Sequence, residues 1–151
     1  MSCLTEIEAG GFSQPVIDAL GKTLSPADQR LLRQIVLGVL RHQTHLDALI
    51  APYLKTKLGA LDNSVRNALR IGCFQLRVLD RIPSHAAVST TVEAFKQLYG
   101  RKATGFVNGV LRAMLREPKN PFSRIETSKE ISRYYSQPKW LIETWLEQLG
   151  V

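Results

Sequence analysis

Two neighbouring pieces of sequence decide the fold: Ile82-Pro83-Ser84-His85-Ala86-Ala87-Val88 and Phe106-Val107-Asn108-Gly109-Val110-Leu111. In the first, Pro83 ends a preceding helix, and Ser84 is a residue type that caps the next one. In the second, Asn108-Gly109 is ordinarily a hairpin signal, but the apolar residues around it recur with the 3.6-residue period of a helix. We therefore predict a helix from about Thr104 to Arg116, in which Asn108 and Gly109 are helix-packing residues and not catalysts.

In the rest of the chain, apolar residues recur nearly everywhere at helical spacing, and no run of alternating apolar and polar residues predicts a strand. Ser25-Pro26 is a strong helix start, with a capping hydroxyl and a proline at the first helical position. Pro52 should end a fourth helix, and Asp62 should cap a fifth, in which Gly72 permits close packing. The sequence thus predicts an all-α bundle of about seven helices, followed by a C-terminal helical linker segment.

The body of the protein should end at residue 117, because the next four residues, Pro118 to Pro121, are rich in proline and cannot continue a helix. This divides the chain into a domain of residues 1–117, whose first helix looks shortened, and a segment of residues 118–151. The segment carries many apolar side chains for its length, and such surface usually has a partner. We expect Trp140, Leu141 and Trp145 to fold back on the body or to meet a further domain.

Positive charge is concentrated in one third of the chain. Residues 66–116 hold nine basic side chains against only Asp80 and Glu93, while elsewhere eleven basic and eleven acidic residues cancel. A local basic field attracts polyanions such as RNA, and arginine suits phosphate better than lysine does. The alternative is a solvated surface kept for solubility, and Arg112 and Arg116 could also serve the negative end of a helix dipole.

Catalysis by this chain alone is not expected. Cys3 and Cys73 match no zinc or redox spacing, which is typical of a reducing compartment such as the cytoplasm. His42 and His45 share a helix face but lack further metal ligands, and we expect His85 to belong to a hydrogen-bond network at the start of its helix. No strand and glycine-rich loop predict a cofactor site, and no apolar run is long enough to predict a membrane span.

Three motifs carry a family resemblance: Arg70–Leu76 (RIGCFQL), Asp80–Val88 (DRIPSHAAV) and Phe106–Arg112 (FVNGVLR). They resemble the NusB-like domain, an all-helical RNA-binding fold. That domain occurs as a free-standing transcription antitermination factor and at the N-terminus of RsmB-type ribosomal RNA cytosine-C5 methyltransferases. Gly38–Arg41 and the segment Tyr135–Gly150 look more like the methyltransferase branch.

The resemblance implies a domain that holds ribosomal RNA for a catalytic domain following Val151. That further domain would bind S-adenosylmethionine and carry the attacking cysteines, so neither Cys3 nor Cys73 has that role. Charge and resemblance together predict that seven cations contact RNA phosphates: Arg66, Arg70, Arg77, Arg101, Lys102, Arg112 and Arg116. Two alternatives stay open: an antitermination-like module that binds a protein, and a body whose tail only docks the catalytic domain.

Overall fold

The structure is a computed structural model that describes residues 1–150; Val151, the last residue of the predicted C-terminal segment, lies outside them. Within this range the chain is all-α and contains no strand, which confirms the predicted fold class. The helices are α1 (Ser2–Glu8), α2 (Ser13–Gly21), α3 (Pro26–Arg41), α4 (Gln43–Ile50), α5 (Asn63–Arg77), α6 (Ser84–Tyr99), α7 (Thr104–Arg116), α8 (Ser128–Tyr135) and α9 (Lys139–Leu149). Short 3₁₀ turns at Ala51–Tyr53 and Leu58–Ala60 connect α4 to α5.

Of the three helix caps predicted from the sequence, at Ser25, Asp62 and Ser84, the structure forms one. The Ser25 hydroxyl accepts a hydrogen bond from the Asp28 backbone N–H at 3.2 Å, as the capping pattern predicts. Asp62 precedes α5 as expected, but its side chain makes no capping bond. The predicted cap at Ser84 is wrong, because Ser84 is already the first helical residue and Pro83 occupies the cap position.

Helix α5 is the centre of the bundle and packs against α1, α3, α4, α6 and α7. Its residues 67–75 are all buried, so that polar as well as apolar side chains of this helix lie inside the protein. A helix buried on every side has no solvated face for its charged residues, which must find partners within the fold. This position of α5 determines which of the predicted RNA-binding arginines reach the surface.

Two glycines permit the close approach of neighbouring helices. A Cβ on Gly72 would lie 2.6 Å from both Leu111 methyl carbons, so α7 packs directly against the backbone of α5. A Cβ on Gly38 would overlap the Phe74 ring, so this side chain of α5 packs directly against the backbone of α3. The packing role predicted for Gly72 is therefore confirmed, whereas that predicted for Gly109 is wrong. No atom of the described residues lies within 4 Å of a Cβ built on Gly109, because α7 turns other residues toward the core.

The segment after residue 117 folds back on the body through its linker. The Tyr53 hydroxyl donates to the Glu117 carbonyl at 2.7 Å and accepts from the Lys119 backbone N–H at 2.6 Å. Phe122 is buried and joins the main core. The two prolines thus end α7 without releasing the chain that follows.

Helix α8 then packs on α4, with His45 at the centre of the contact. The His45 ring stacks on Phe122 with centroids 4.9 Å apart, and the edge of the Tyr134 ring meets it at 5.2 Å. The Ser136 hydroxyl accepts a hydrogen bond from the His45 backbone N–H at 3.0 Å. Helix α9 packs on α8 and has little other cover. None of the helices between residues 1 and 150 is long and apolar enough to cross a membrane.

Candidate RNA-binding surface

The seven cations predicted to bind RNA fall into two groups, and the first lies within the fold. Arg70 is the clearest member: its side chain is 5% exposed and is held by two carboxylates. Its Nε and Nη2 donate to the two oxygens of Asp47 at 2.7 and 2.8 Å, and its Nη1 donates to Glu8 at 3.1 Å. Asn67 completes the network by donating to the other Glu8 oxygen at 3.0 Å. The charge of Arg70 is neutralised inside the protein and is not presented to a phosphate.

Arg66 and Arg77 are also largely used by the fold. Arg66 donates to the Asn63 side chain at 2.6 Å and lies 3.9 Å from Glu8. Arg77 donates to the Met114 carbonyl at 3.2 Å and so ties the end of α5 to α7. The structure therefore gives the three α5 arginines internal contacts that the charge count did not anticipate.

The second group, Arg101, Lys102, Arg112 and Arg116, is exposed. Arg101 and Lys102 lie in the short turn between α6 and α7, and Arg112 and Arg116 lie on the last turns of α7. Within residues 1–150 none of these four forms an ion pair with a carboxylate. The positive charge of this pair of helices is consequently free to act on an outside anion.

An open groove of about 580 Å³ runs between α6 and α7 beside these cations. Its lining combines an apolar floor with polar walls: His85, Val88, Ser89, Val92, Glu93, Asn108, Arg112, Leu115 and Arg116. A cleft of this size, with a few convergent polar groups, is typical of a ligand site. The structure thus brings two of the predicted cations, Arg112 and Arg116, together in one cleft, while Arg101 and Lys102 do not line it.

The groove contains charged side chains of both signs. Arg112 is oriented by Asn108, whose side-chain oxygen accepts from the Arg112 Nε at 3.0 Å, which leaves the Nη atoms outside this bond. Glu93 is engaged instead on its own helix: its Oε2 lies 3.7 Å from the Lys96 ammonium, and its Oε1 accepts a hydrogen bond from the Gln97 side-chain amide at 3.2 Å. Within residues 1–150 the groove arginines and the Glu93 carboxylate form no ion pair with each other.

Sequence reasoning missed four polar members of this groove: His85, Ser89, Glu93 and Asn108. His85 had been expected in a hydrogen-bond network at the start of its helix, but between residues 1 and 150 no hydrogen bond to its side chain is present. The spacing of His85, Ser89 and Glu93 at four-residue intervals places them on one helix face, and this signal could have found them. The aromatic rings of Tyr99 and Phe106, considered as stacking faces for bases, do not line the groove.

His42 and His45 have structural roles in the described residues. Burial lowers the pKa of the His45 imidazole, which packs among aromatic rings, and the nearby His42 lowers it further. The His42 ring stacks on Phe74 with centroids 6.4 Å apart. In the part of the chain from 1 to 150, no three histidine, cysteine or acidic side chains are grouped so that they could hold a metal ion.

The two cysteines are buried in the core. Burial raises the pKa of the Cys73 thiol to about 12, and burial likewise raises the pKa of Cys3. Because the thiolate is the nucleophile, neither side chain is prepared for covalent catalysis at neutral pH.

Helix α9 exposes large apolar side chains. Trp140 is 66% and Trp145 is 47% exposed, while Leu141 is half-buried and Ile142 packs inward. A shallow apolar cavity of about 390 Å³ lies beside Trp145, between α8 and α9. The segment therefore folds back on the body through α8, which is one of the two arrangements expected from the sequence. Its last helix, α9, still presents an exposed apolar face.

Comparison with known proteins agrees with this architecture. The sequence profile of the NusB family matches residues 3–116, which end with α7. A probable ribosomal RNA small subunit methyltransferase B of Synechocystis sp. is 34% identical over 128 residues, which cover 84% of this chain and 29% of that protein. Its counterpart in Bacillus subtilis is 32% identical over 84% of this chain and 28% of its own length.

The ribosomal RNA small subunit methyltransferase B of Klebsiella pneumoniae is 30% identical over 146 residues, or 94% of this chain and 33% of that enzyme. The chain thus spans about a third of the length of the curated relatives that it matches. The resemblance to the NusB-like domain of RsmB-type methyltransferases is confirmed. With the helical bundle described above and a family match from residue 3 to residue 116, the chain belongs to the NusB family.

Proposed function

We propose that this chain is the RNA-binding domain of an RsmB-like ribosomal RNA cytosine-C5 methyltransferase and that it holds ribosomal RNA for a catalytic domain. The observation that supports this most strongly is the exposed basic surface of α7 and of the turn that precedes it. Its four cations, Arg101, Lys102, Arg112 and Arg116, form no ion pair within residues 1–150, whereas Arg70 on α5 is neutralised. We define these four side chains as the basic surface.

The basic surface suits a nucleic acid backbone. A helix rises 1.5 Å per residue, so α7 is about 18 Å long from Thr104 to Arg116, and Lys102 lies just before its start. Cations spread over such a distance contact several phosphates and not one small anion. Phosphate contacts fix the position and orientation of an RNA without reading its sequence. This fits a domain that holds RNA while chemistry occurs elsewhere.

The methyltransferase activity that we propose for the whole protein is inferred from its relatives. Their names describe small subunit ribosomal RNA methyltransferases, and about two thirds of their length lies outside the match. We place the S-adenosylmethionine site and the reactive cysteines of the proposed enzyme in that further part, and the enzyme itself in the cytoplasm. Residues 1–117 would form the RNA-binding domain and residues 118–151 the connection. The exposed Trp140 and Trp145 on α9, with Leu141, would pack against the catalytic domain.

Titration with a small-subunit ribosomal RNA fragment at several salt concentrations tests the RNA-binding proposal. The logarithm of the association constant should fall linearly with the logarithm of the salt concentration, because phosphate contacts release counterions. A slope of about −3 to −4 is expected from the four cations, at about 0.7 to 0.9 per contact. Affinity that does not change with salt, or no binding at low salt, would contradict the proposal and would favour a module that binds protein.

A further inference from the structure

The groove between α6 and α7 combines arginines with a carboxylate that accepts hydrogen bonds, and this combination goes beyond general attraction to RNA. We infer that it holds one unpaired nucleotide whose base carries an exocyclic amino group, with cytosine as the best fit. The inference rests on the proposed RNA-binding function, since it names the part of the RNA that occupies this cleft.

The order of residues along the groove follows from the topology. Only four residues connect α6 to α7, so the two helices run in opposite directions, and the groove is lined by side chains from residues 85–93 of α6 and 108–116 of α7. His85 therefore lies near the level of Arg116, and Glu93 lies near the level of Asn108. Arg116 and Asn108 are about 12 Å apart along the axis of α7.

The two arginines of α7, Arg112 and Arg116, suit a phosphate. Both side chains are exposed, and the bond from Arg112 to Asn108 uses only the Nε, so the two Nη atoms can donate to phosphate oxygens. A guanidinium favours such bidentate contacts over those of a simple ammonium group. These arginines fix where the backbone of the nucleotide lies.

The end with Glu93 presents a hydrogen-bond acceptor. Its charge is balanced by Lys96, 3.7 Å away, and the lone pairs that Lys96 and Gln97 leave unused are available to a donor. The same carboxylate accepts hydrogen bonds and so matches the N4 amino group of cytosine, which is the contact that Glu makes with this base. Uracil carries a carbonyl at that position and would place two acceptors against each other.

The middle of the groove suits a base. Val88, Val92 and Leu115 provide an apolar floor, and the volume of about 580 Å³ is within the range of small-ligand sites. The Asn108 oxygen is engaged by Arg112, whereas its NH₂ group can donate to a base carbonyl such as O2 of cytosine. A base can enter only where it is unstacked and unpaired, which favours a loop or a single strand over a duplex.

Binding of two labelled single-stranded oligomers of equal length, one of cytidine and one of uridine, tests the inference at fixed salt. The wild-type protein should bind the cytidine oligomer about fivefold more tightly, at the low end for one base contact because Glu93 is 55% exposed. In Glu93→Gln the preference should fall to about one, because a carboxamide can both accept and donate. Glu147→Gln on α9, which removes the same charge outside the groove, should keep the wild-type preference.

The outcomes separate the two proposals. Equal binding of both oligomers with the expected salt dependence would overturn the nucleotide site and leave the RNA-binding function standing. A preference that survives Glu93→Gln would also overturn it. No binding of either oligomer or of the ribosomal fragment would overturn both proposals. An acidic peptide that binds in the groove, with no preference between the oligomers, would identify a protein partner and contradict the inference.

Discussion

Helices α5 and α7 carry the same residue types in opposite circumstances. Both contain a glycine and arginines, but α5 is enclosed by five other helices, whereas α7 buries one face and leaves another open. Arg70 is neutralised by Glu8 and Asp47, while Arg112 is exposed beside a groove. The comparison teaches that an arginine in a basic stretch has a stabilising or a binding role according to the position of its helix in the bundle.

Replacing the buried arginine should give the largest effect. Arg70→Met leaves Glu8 and Asp47 without their shared partner, and removal of one member of a buried ion pair typically costs 3–5 kcal/mol. Because both carboxylates are partly exposed, we expect the free energy of unfolding to fall by about 3 kcal/mol in a denaturant titration.

Arg112→Met is the matched control on α7. It removes an exposed guanidinium that, among residues 1–150, hydrogen-bonds only to Asn108, so the free energy of unfolding should change by less than about 0.5 kcal/mol. Equal losses in the two variants would break the distinction between the two helices, since both arginines would then contribute similarly to stability.

Substitutions of Gly72 on α5 and Gly109 on α7 compare the packing of the two helices without changing their charge. Gly72→Ala places a methyl group 2.6 Å from Leu111 atoms and should lower the free energy of unfolding by about 1–2 kcal/mol, because overpacking outweighs the gain in helix propensity. Gly109→Ala meets no neighbour within 4 Å and should raise stability by about 0.5–1 kcal/mol. Denaturant midpoints measure both, and a change of the same sign in the two variants would contradict the packing described here.

Local patterns predicted most of the fold but only part of the candidate site. The apolar period and the loop residues were sufficient to place α7 at Thr104–Arg116, and the Ser25 cap also follows from neighbouring residues. The partners of Arg70 lie 62 and 23 positions away in the chain, and no local rule indicates such pairs. The different surroundings of Gly72 and Gly109 have the same origin, because burial depends on which helices meet.

The C-terminal segment gives a similar result. Its composition predicted helices and surplus apolar surface, and both are present. The stacking of His45 on Phe122, across 77 positions of sequence, required the tertiary structure to be seen. The groove was missed for the same reason, because its walls come from two helices whose facing sides become evident only after they pack.

The central claim is that the exposed cations of α7, and not the basic residues in general, bind RNA. Its most direct test is the affinity for a small-subunit ribosomal RNA fragment of Arg112→Ala/Arg116→Ala, compared with Arg30→Ala/Arg41→Ala. The control pair removes the same charge from exposed positions on α3, away from the groove. We predict an affinity about tenfold lower for the α7 pair, with a salt slope smaller by about two, and a change within about twofold for the α3 pair. Equal losses in the two pairs, or no loss in the α7 pair, would contradict the account.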